Sequence, residues 1–573
     1  MRRTGLAADA ARSNAGRWIP GLKAAAGLLF LNVLLNADNL VNDFAWVRLL
    51  QPSPELLLMA AGMALLARER VRLPSVIYAP AAGLILFLGL FRAADALMSA
   101  ILCRPLNLAM DTLRLPDLVV LARALLSPEH FLLSLAGAPI FAAVVAWGIG
   151  RTLVNLHTLL AAPALPPRTK RLAAAGILLA TLGAVQQNAP VVAAPTLPRL
   201  VEEIRFILDL DGVRRSDLAA LAEVRDRAGT MPPNLDRLEQ ASVLLFVVES
   251  YGRAVFSQPD HAARLLPAIR AAEAELGAAG FQMCSGFLDS PAIGGGSWLA
   301  HATLASGVRV GSQIRHDLLL ASDLIPLAEF FNRAGYRTLR AMPGTLWPWP
   351  AGGFYRYGQT FIAPDFDYRG PRFAFAPMPD QFVLDWMWRN EIKGGRRPLF
   401  VEFILVSSHA GFEVHAPYVA DWGEIGDGSL FHALPALRRP GAWKDPASLS
   451  EAYSTAIVYE WRLLKEFIKT HVAADELIII LGDHQPPGRA AGGDRSASVP
   501  VHLISRNPQA LAGFIDRGHT PGLIPEQPLP HRGMETFYWD FLRDFSRRDS
   551  RRPEVGGPLD SVRESRTGLR PVG

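Results

Sequence analysis

The 573-residue sequence predicts an N-terminal α-helical membrane domain of five spans followed by an α/β domain. Three observations carry this expectation. Half the residues are hydrophobic and only 19% are charged, against ~25% charged in ordinary soluble proteins. The deficit is local, because only nine of the 53 acidic residues fall in the first 195 positions: Asp9, Asp38, Asp43, Glu55, Glu69, Asp95, Asp111, Asp117 and Glu129. From about residue 240 the pattern changes to short apolar runs that alternate with helical stretches and Gly/Pro turns.

A span requires ~20 predominantly apolar residues, and stretches near 21–38, 54–67, 75–95, 131–150 and 172–187 meet or approach that length. Small-residue runs such as Ala173 to Gly176 suit close packing of helices in lipid. Lys and Arg near span ends collect on the cytoplasmic side. Here they group at Arg2, Arg3, Arg12 and Arg17, at Arg68, Arg70 and Arg72, and at Arg168, Lys170 and Arg171. These three segments share one side, so an odd number of spans puts the remainder outside the cytoplasm. A cleaved signal peptide is the competing reading of the first span, but no small-residue cleavage site follows Leu34. Asp38 and Asp95 are expected at outer span ends, as solvated interfacial groups or as contacts to a lipid head group.

The expected division is a membrane domain over 1–190, a helical connector over 191–240, an extracytoplasmic α/β domain over 241–545 and an Arg-rich disordered tail over 546–573. Ser242 to Val248 (SVLLFVV), Leu399 to Val406, Glu476 to Leu481 and Val499 to Ile504 read as buried strands. Ala262 to Ala279, Ile325 to Ala334 and Ser448 to Val472 read as helices, which gives a sheet with helices on both faces. A formal charge of +5 without a long basic run in the ordered part argues against a nucleic-acid partner. The two cysteines, Cys103 and Cys284, can build neither a disulfide framework nor a thiolate metal cluster.

In an open α/β sheet, ligands bind beyond the carboxyl ends of the strands. Three expected strands run into such residues: Glu249 in VVESYGR, His409 in VSSHAGF, and Asp483 with His484 in LGDHQPP. Any one alone reads first as a helix cap or a hydrogen-bonded turn residue. Together they offer the oxygen and imidazole ligands of one divalent metal, Mn or Zn. The fourth element is the glycine-rich turn and helix Gly294 to Gly307 (GGGSWLAHATLASG), with Ser297 where exposed N–H groups favour anions. A serine there is commonly an N-cap, but Ser297 is also expected as a metal ligand beside Glu249, Asp483 and His484, since coordination to a divalent cation would activate its hydroxyl as a nucleophile.

In this order the residues resemble the alkaline phosphatase-like superfamily, and within it the membrane-anchored lipoteichoic acid synthases and phosphoglycerol transferases, with sulfatases and phosphoethanolamine transferases as relatives. The resemblance implies an α/β domain of alkaline phosphatase/sulfatase type, with Ser297 as nucleophile, Glu249, Asp483 and His484 as metal ligands and His409 as a substrate-phosphate contact. Two departures matter. The synthases use threonine at the nucleophile, and sulfatases place Pro and Arg where this chain has Leu299 and His301, so Ser297 is expected to stay unmodified. The Trp-Asn-Arg sequence of the synthases has no evident counterpart; the comparable stretch is Leu346 to Tyr357 (LWPWPAGGFYRY).

The resulting expectation is transfer of a phosphoglycerol or phosphoethanolamine head group from a membrane phospholipid to an envelope glycan or lipid acceptor. Ser297 carries the covalent intermediate, and His409, His301, Trp347 and Trp349 contact the substrate. Phe354 and Tyr355 either wall the same pocket or pack in the core. The rivals are a phosphate- or sulfate-ester hydrolase of the same fold and a non-catalytic protein that binds envelope glycan.

Overall fold

A computed structural model describes residues 22–38, 46–66, 74–116, 119, 122–123, 127–161, 166–186, 192–232, 234–395, 398–472, 476–526 and 532–547. The N-terminal basic residues, the Arg68–Arg72 link and the tail beyond 547 lie outside them. The first third is helical: α1 (Leu22–Leu35), α2 (Pro54–Leu66), α3 (Ala79–Leu102), α4 (Pro128–Ala161) and α5 (Pro167–Gln186). Each expected span falls on one of these helices. Two are long and apolar enough to cross a membrane: Val76–Leu102, which comprises α3 and the turn before it, and α4. At 1.5 Å per residue both exceed the ~30 Å of a hydrocarbon core. Only 33% and 11% of their apolar windows are buried, and α4 exposes Leu132, Phe141, Val144 and Trp147. Both helices thus leave most of their apolar length uncovered by the rest of the described residues. The apolar segments of α1, α2 and α5 are shorter, at 10–17 residues.

Helix α3 runs to Leu102, beyond the expected end of the third span at residue 95. Asp95 accordingly lies within a helix, and it accepts from Leu106 N–H (2.8 Å) and pairs with Arg199 (3.6 Å). Asp38 pairs with the buried Arg92 (2.8 Å), which also donates to the Ala194 carbonyl (2.7 Å). Both carboxylates tie the N-terminal helices together or to the following segment, so they are paired groups, which corrects their reading as solvated or lipid-contacting ends.

Helices α6 (Leu197–Leu208) and α7 (Leu210–Gly229) lie within the stretch expected as a connector. The strands are β1 (Val243–Val248), β2 (Gln282–Asp289), β3 (Arg337–Met342), β4 (Gln359–Ile362), β5 (Leu399–Leu405), β6 (Val414–His415), β7 (Leu437–Arg438), β8 (Leu477–Gly482), β9 (Ser498–Ser505) and β10 (Thr520–Pro521). Eight form one sheet in the order β10-β2-β9-β8-β1-β5-β3-β4, and β6 and β7 make a separate ribbon. The run from β8 to β4 is parallel, whereas β9 is antiparallel to β8 and β2.

Strand β1 is central and buried on both sides. Its side chains alternate between two cores, as the period of a strand requires. Leu244, Phe246 and Val248 face helices α8 (Pro259–Ala278) and α10 (Pro446–His471). Val243, Leu245 and Val247 face α9 (Ser297–Ser306) and α11 (Glu535–Phe545). Phe246 stacks on Phe403 of β5 at 4.8 Å between ring centroids. Continuous apolar runs thus mark the strands covered by helices on both faces.

Candidate metal centre

Two adjacent parallel strands deliver the candidate ligands to one edge. Glu249 follows β1, Asp483 and His484 follow β8, and β1 and β8 are in register from Val243↔Leu477 to Val248↔Gly482. That register makes residues distant in sequence into neighbours. Asp483 N–H donates to the Val248 carbonyl (3.3 Å), and Ser250 N–H donates to Asp483 Oδ1 (2.8 Å). Glu249, Asp483 and His484 are buried, and one ligand atom from each lies within 4.8 Å of the others.

The histidine is oriented. His484 Nδ1 bonds to the Gln485 carbonyl at 2.7 Å, which makes Nδ1 the protonated nitrogen of a neutral ring and leaves the Nε2 lone pair for a cation. Nε2 lies 3.3 Å from Glu249 Oε1 and 3.5 Å from Asp483 Oδ2. Ser297 completes the group: its hydroxyl donates to Glu249 Oε2 (3.0 Å) and lies 3.1 Å from His484 Nε2. The glycine turn is pinned to the same edge, because Gly294 N–H donates to the Gln485 carbonyl at 2.9 Å. Ser297 then opens α9, whose first N–H groups lack helical partners.

Without a cation, the charges hold one another. Burial would raise the Glu249 carboxyl, but His484 and His409 pull it well below the usual range. Burial, and then the Glu249 charge, push Asp483 up to about 7. Burial opposes protonation of His484, yet Asp483 and Glu249 raise it to about 9. A proton shared among two buried carboxylates and an imidazole sits where a divalent cation would place more charge. Two carboxylates, one oriented imidazole and a hydroxyl make an oxygen/nitrogen donor set that fits such an ion.

The remaining expected site residues divide. His409 lies near enough to Glu249 to help hold it ionised, and its ring stacks on Phe375 at 3.5 Å between centroids. His409 Nδ1 bonds to the Ala410 carbonyl at 3.0 Å. His301, one turn after Ser297 on α9, is buried with Nδ1 unpartnered, and burial with nearby Arg340 pushes it down to about 3. Burial thus favours the neutral ring. Trp347 is 62% exposed, whereas Trp349 lines an open cleft of ≈ 400 Å³ together with Arg356, Tyr357, Thr360 and Asp365. Phe354 and Tyr355 are buried in a core cluster with Ala302 of α9, which decides for the packing reading.

One feature beside the cleft was missed from sequence. Arg340 of β3 and Glu402 of β5 form a fully buried ion pair at 2.5 Å, and Tyr357 Oη donates to Glu402 at 2.9 Å. The Arg340 guanidinium lies over the rings of Tyr355 (4.3 Å) and Trp349 (5.0 Å). The available signal was a charged residue at mid-strand in each of RTLRAM and LFVEFIL. Burying either alone is costly, so each implies a partner.

Fold and site together define a protein with a helical N-terminal part and an α/β domain bearing a candidate divalent-metal centre. No family model matches the chain, and no curated protein matches it. Among solved structures it is similar to the integral membrane lipooligosaccharide phosphoethanolamine transferase EptA of Neisseria meningitidis, at 14% identity over 91% of this chain and 95% of that one, with a TM-score of 0.46. It is also similar to the lipoteichoic acid synthase LtaP of Listeria monocytogenes, at 12% identity, covering 50% and 71%, with a TM-score of 0.32. A third is the phosphoglycerol transferase GacH of Streptococcus pyogenes, at 12% identity, covering 58% and 91%, with a TM-score of 0.33.

Proposed function

We propose that the chain is a membrane-anchored, metal-dependent phosphotransferase. It moves phosphoglycerol or phosphoethanolamine from a membrane phospholipid to an envelope glycan or lipid acceptor. The observation that carries this reading is the Ser297 hydroxyl, held within 3.0 Å of Glu249 and 3.1 Å of His484 at the start of a helix. Glu249, Asp483 and His484 would hold the cation, Mn or Zn, with Ser297 beside it; when bound, it supplies charge neutralisation and lowers the hydroxyl pKa.

The chain's own residues perform the rest. Ser297 Oγ attacks phosphorus, forming an O–P bond as the bond to the diacylglycerol oxygen breaks. The serine proton passes toward Glu249 and ends on the departing oxygen. The α9 N-terminus and His409 donate to the phosphoryl oxygens where charge develops. An acceptor hydroxyl then attacks the phosphoserine, the O–P bond to Ser297 breaks, and the serine regains a proton.

The proposed topology is five spans within residues 1–190, a connector over 191–240 and a catalytic domain over 241–545 outside the cytoplasm at the inner membrane. Supporting it are the exposed apolar surfaces of α3 and α4 and the apolar stretches of α1, α2 and α5. The test supplies head-group-labelled phospholipid vesicles together with envelope glycan and lipid acceptors. Label on an acceptor is the expected result; label released only as free product, with acceptors present, makes the protein a hydrolase of the same fold.

A further inference from the structure

The last turn of α3 meets the two loops that carry the candidate site. Gly294 has φ +72°, and a Cβ there would lie 2.0 Å from the Ile101 carbonyl oxygen and 3.1 Å from Leu102 Cα. At Gly295 it would lie 3.0 Å from Leu102 Cδ2. On the other loop, a Cβ at Gly488 would lie 2.8 Å from the Ala100 carbonyl oxygen and 3.1 Å from Cys103 Sγ. Gly294 precedes Ser297 by three residues and Gly488 follows His484 by four, so one helix end touches both halves of the site. A second contact comes from beyond the helix: the Arg114 guanidinium lies 5.1 Å over the ring of Trp298, the residue after Ser297.

This elbow is held from behind. Leu106 N–H donates to Asp95 (2.8 Å), Leu108 N–H donates to Glu203 (2.6 Å), and Arg199 bridges Asp95 (3.6 Å) and Glu203 (2.7 Å). Glu203 and Arg199 belong to α6, so the connector fixes the outer end of α3 before the chain enters the catalytic domain. Leu97, Ile101, Leu113 and Trp298 are all exposed and give this junction an apolar rim.

We infer that the outer end of α3, Ala100 to Cys103 with Arg114, is a positioning element of the Ser297 site and fixes it at the bilayer surface, so that the donor is a phospholipid still seated in the membrane. This rests on the phosphotransferase reading above. Backbone packed on glycine has no side chain to yield, so the contact sets the serine turn against the helix end. A misplacement of ~1 Å at such a site costs ~10²-fold in rate.

The test uses the full chain in vesicles of head-group-labelled phosphatidylethanolamine and phosphatidylglycerol. Gly488→Cys would place a Cβ 3.1 Å from the Sγ of Cys103, within reach of a disulfide with its S–S bond of ~2.05 Å. Cross-linking is read by loss of both free thiols in a mass measurement, independently of activity. Most molecules should cross-link on mild oxidation, and the cross-linked protein should transfer label as fast as its reduced form. Gly294→Ala in the same background should sharply reduce cross-linking while metal content is kept. Because Gly488→Cys crowds the Ala100 carbonyl, a second variant, Arg114→Cys with Trp298→Cys and Cys103→Ser, is bridged by a short bis-maleimide. Failure of both cross-links overturns the docking. A cross-link that stops transfer until it is reduced overturns the docked form as the reactive one. If the unmodified chain transfers nothing while cross-linking proceeds, the phosphotransferase reading fails and the docking stands.

Discussion

Ser297 and His484 are 187 residues apart in sequence, yet Ser297 Oγ and His484 Nε2 lie 3.1 Å apart. Two scaffolds hold them: the β1–β8 register carries His484 beside Glu249, and the Gly294–Gln485 hydrogen bond draws the serine turn onto the same edge.

Removing that hydroxyl is expected to abolish chemistry and leave the metal centre. Ser297→Ala should lose ~10³-fold or more in transfer and form no covalent phospho-enzyme, while Ser297→Thr keeps measurable activity. A mass measurement after incubation with membrane lipids checks both. A phospho-adduct on Ser297→Ala would refute the assignment.

Metal dependence follows from the ligand set. Chelation should stop transfer and Mn or Zn should restore it. Glu249→Ala should bind metal ~10–100-fold more weakly or not at all. Elemental analysis of purified protein is the measurement; unchanged stoichiometric metal in the variant would exclude Glu249 as a ligand.

The buried Arg340–Glu402 pair is expected to be unequal to the sum of its halves. Arg340→Met alone should cost ~3–5 kcal/mol by leaving Glu402 unpaired, and Arg340→Met with Glu402→Leu should recover most of that loss. Chemical denaturation monitored by tryptophan fluorescence gives the comparison.

The pH dependence of stability should carry the signature of Asp380 and Glu460, both fully buried. Burial pushes Asp380 up to about 6, partly opposed by the neighbouring Glu460 carboxyl, and burial with the Asp380 charge drives Glu460 well above its ordinary value. The native state therefore binds more protons than the unfolded chain, so this contribution is complete below the ordinary carboxyl range near pH 4 and is lost as pH rises through 6 and beyond. Glu460→Gln puts a neutral amide beside Asp380 in place of a second carboxyl. It should flatten the decline and gain about 1–3 kcal/mol at pH 8 relative to the parent. Melting temperatures of both proteins from pH 5 to 9 provide the check.

Much of the fold was legible because its signals are local. SVLLFVV and ELIIIL read as buried strands since helices cover both faces of β1 and β8, and the observed ends, Val248 and Gly482, fall within a residue of those expected. Strands β2 and β3 escaped because their burial is not apolar in composition. QMCSGFLD interrupts its apolar residues with Gln, Ser, Gly and Asp, and RTLRAM buries an arginine that the distant Glu402 makes tolerable.

The sequence by itself determined the charge-poor helical third, the alternation of strands and helices, and which side chains could form a metal centre without thiolates. Chain order and residue type suffice for that, because hydropathy and ligand chemistry belong to single residues. Tertiary structure decided what depends on distance. It turned Asp38 and Asp95 into ties to Arg92 and Arg199, placed Phe354 and Tyr355 in the core, and set the end of α3 against Gly294. Each is a contact between segments tens to hundreds of residues apart, and a pairing of that kind leaves no periodicity in either segment.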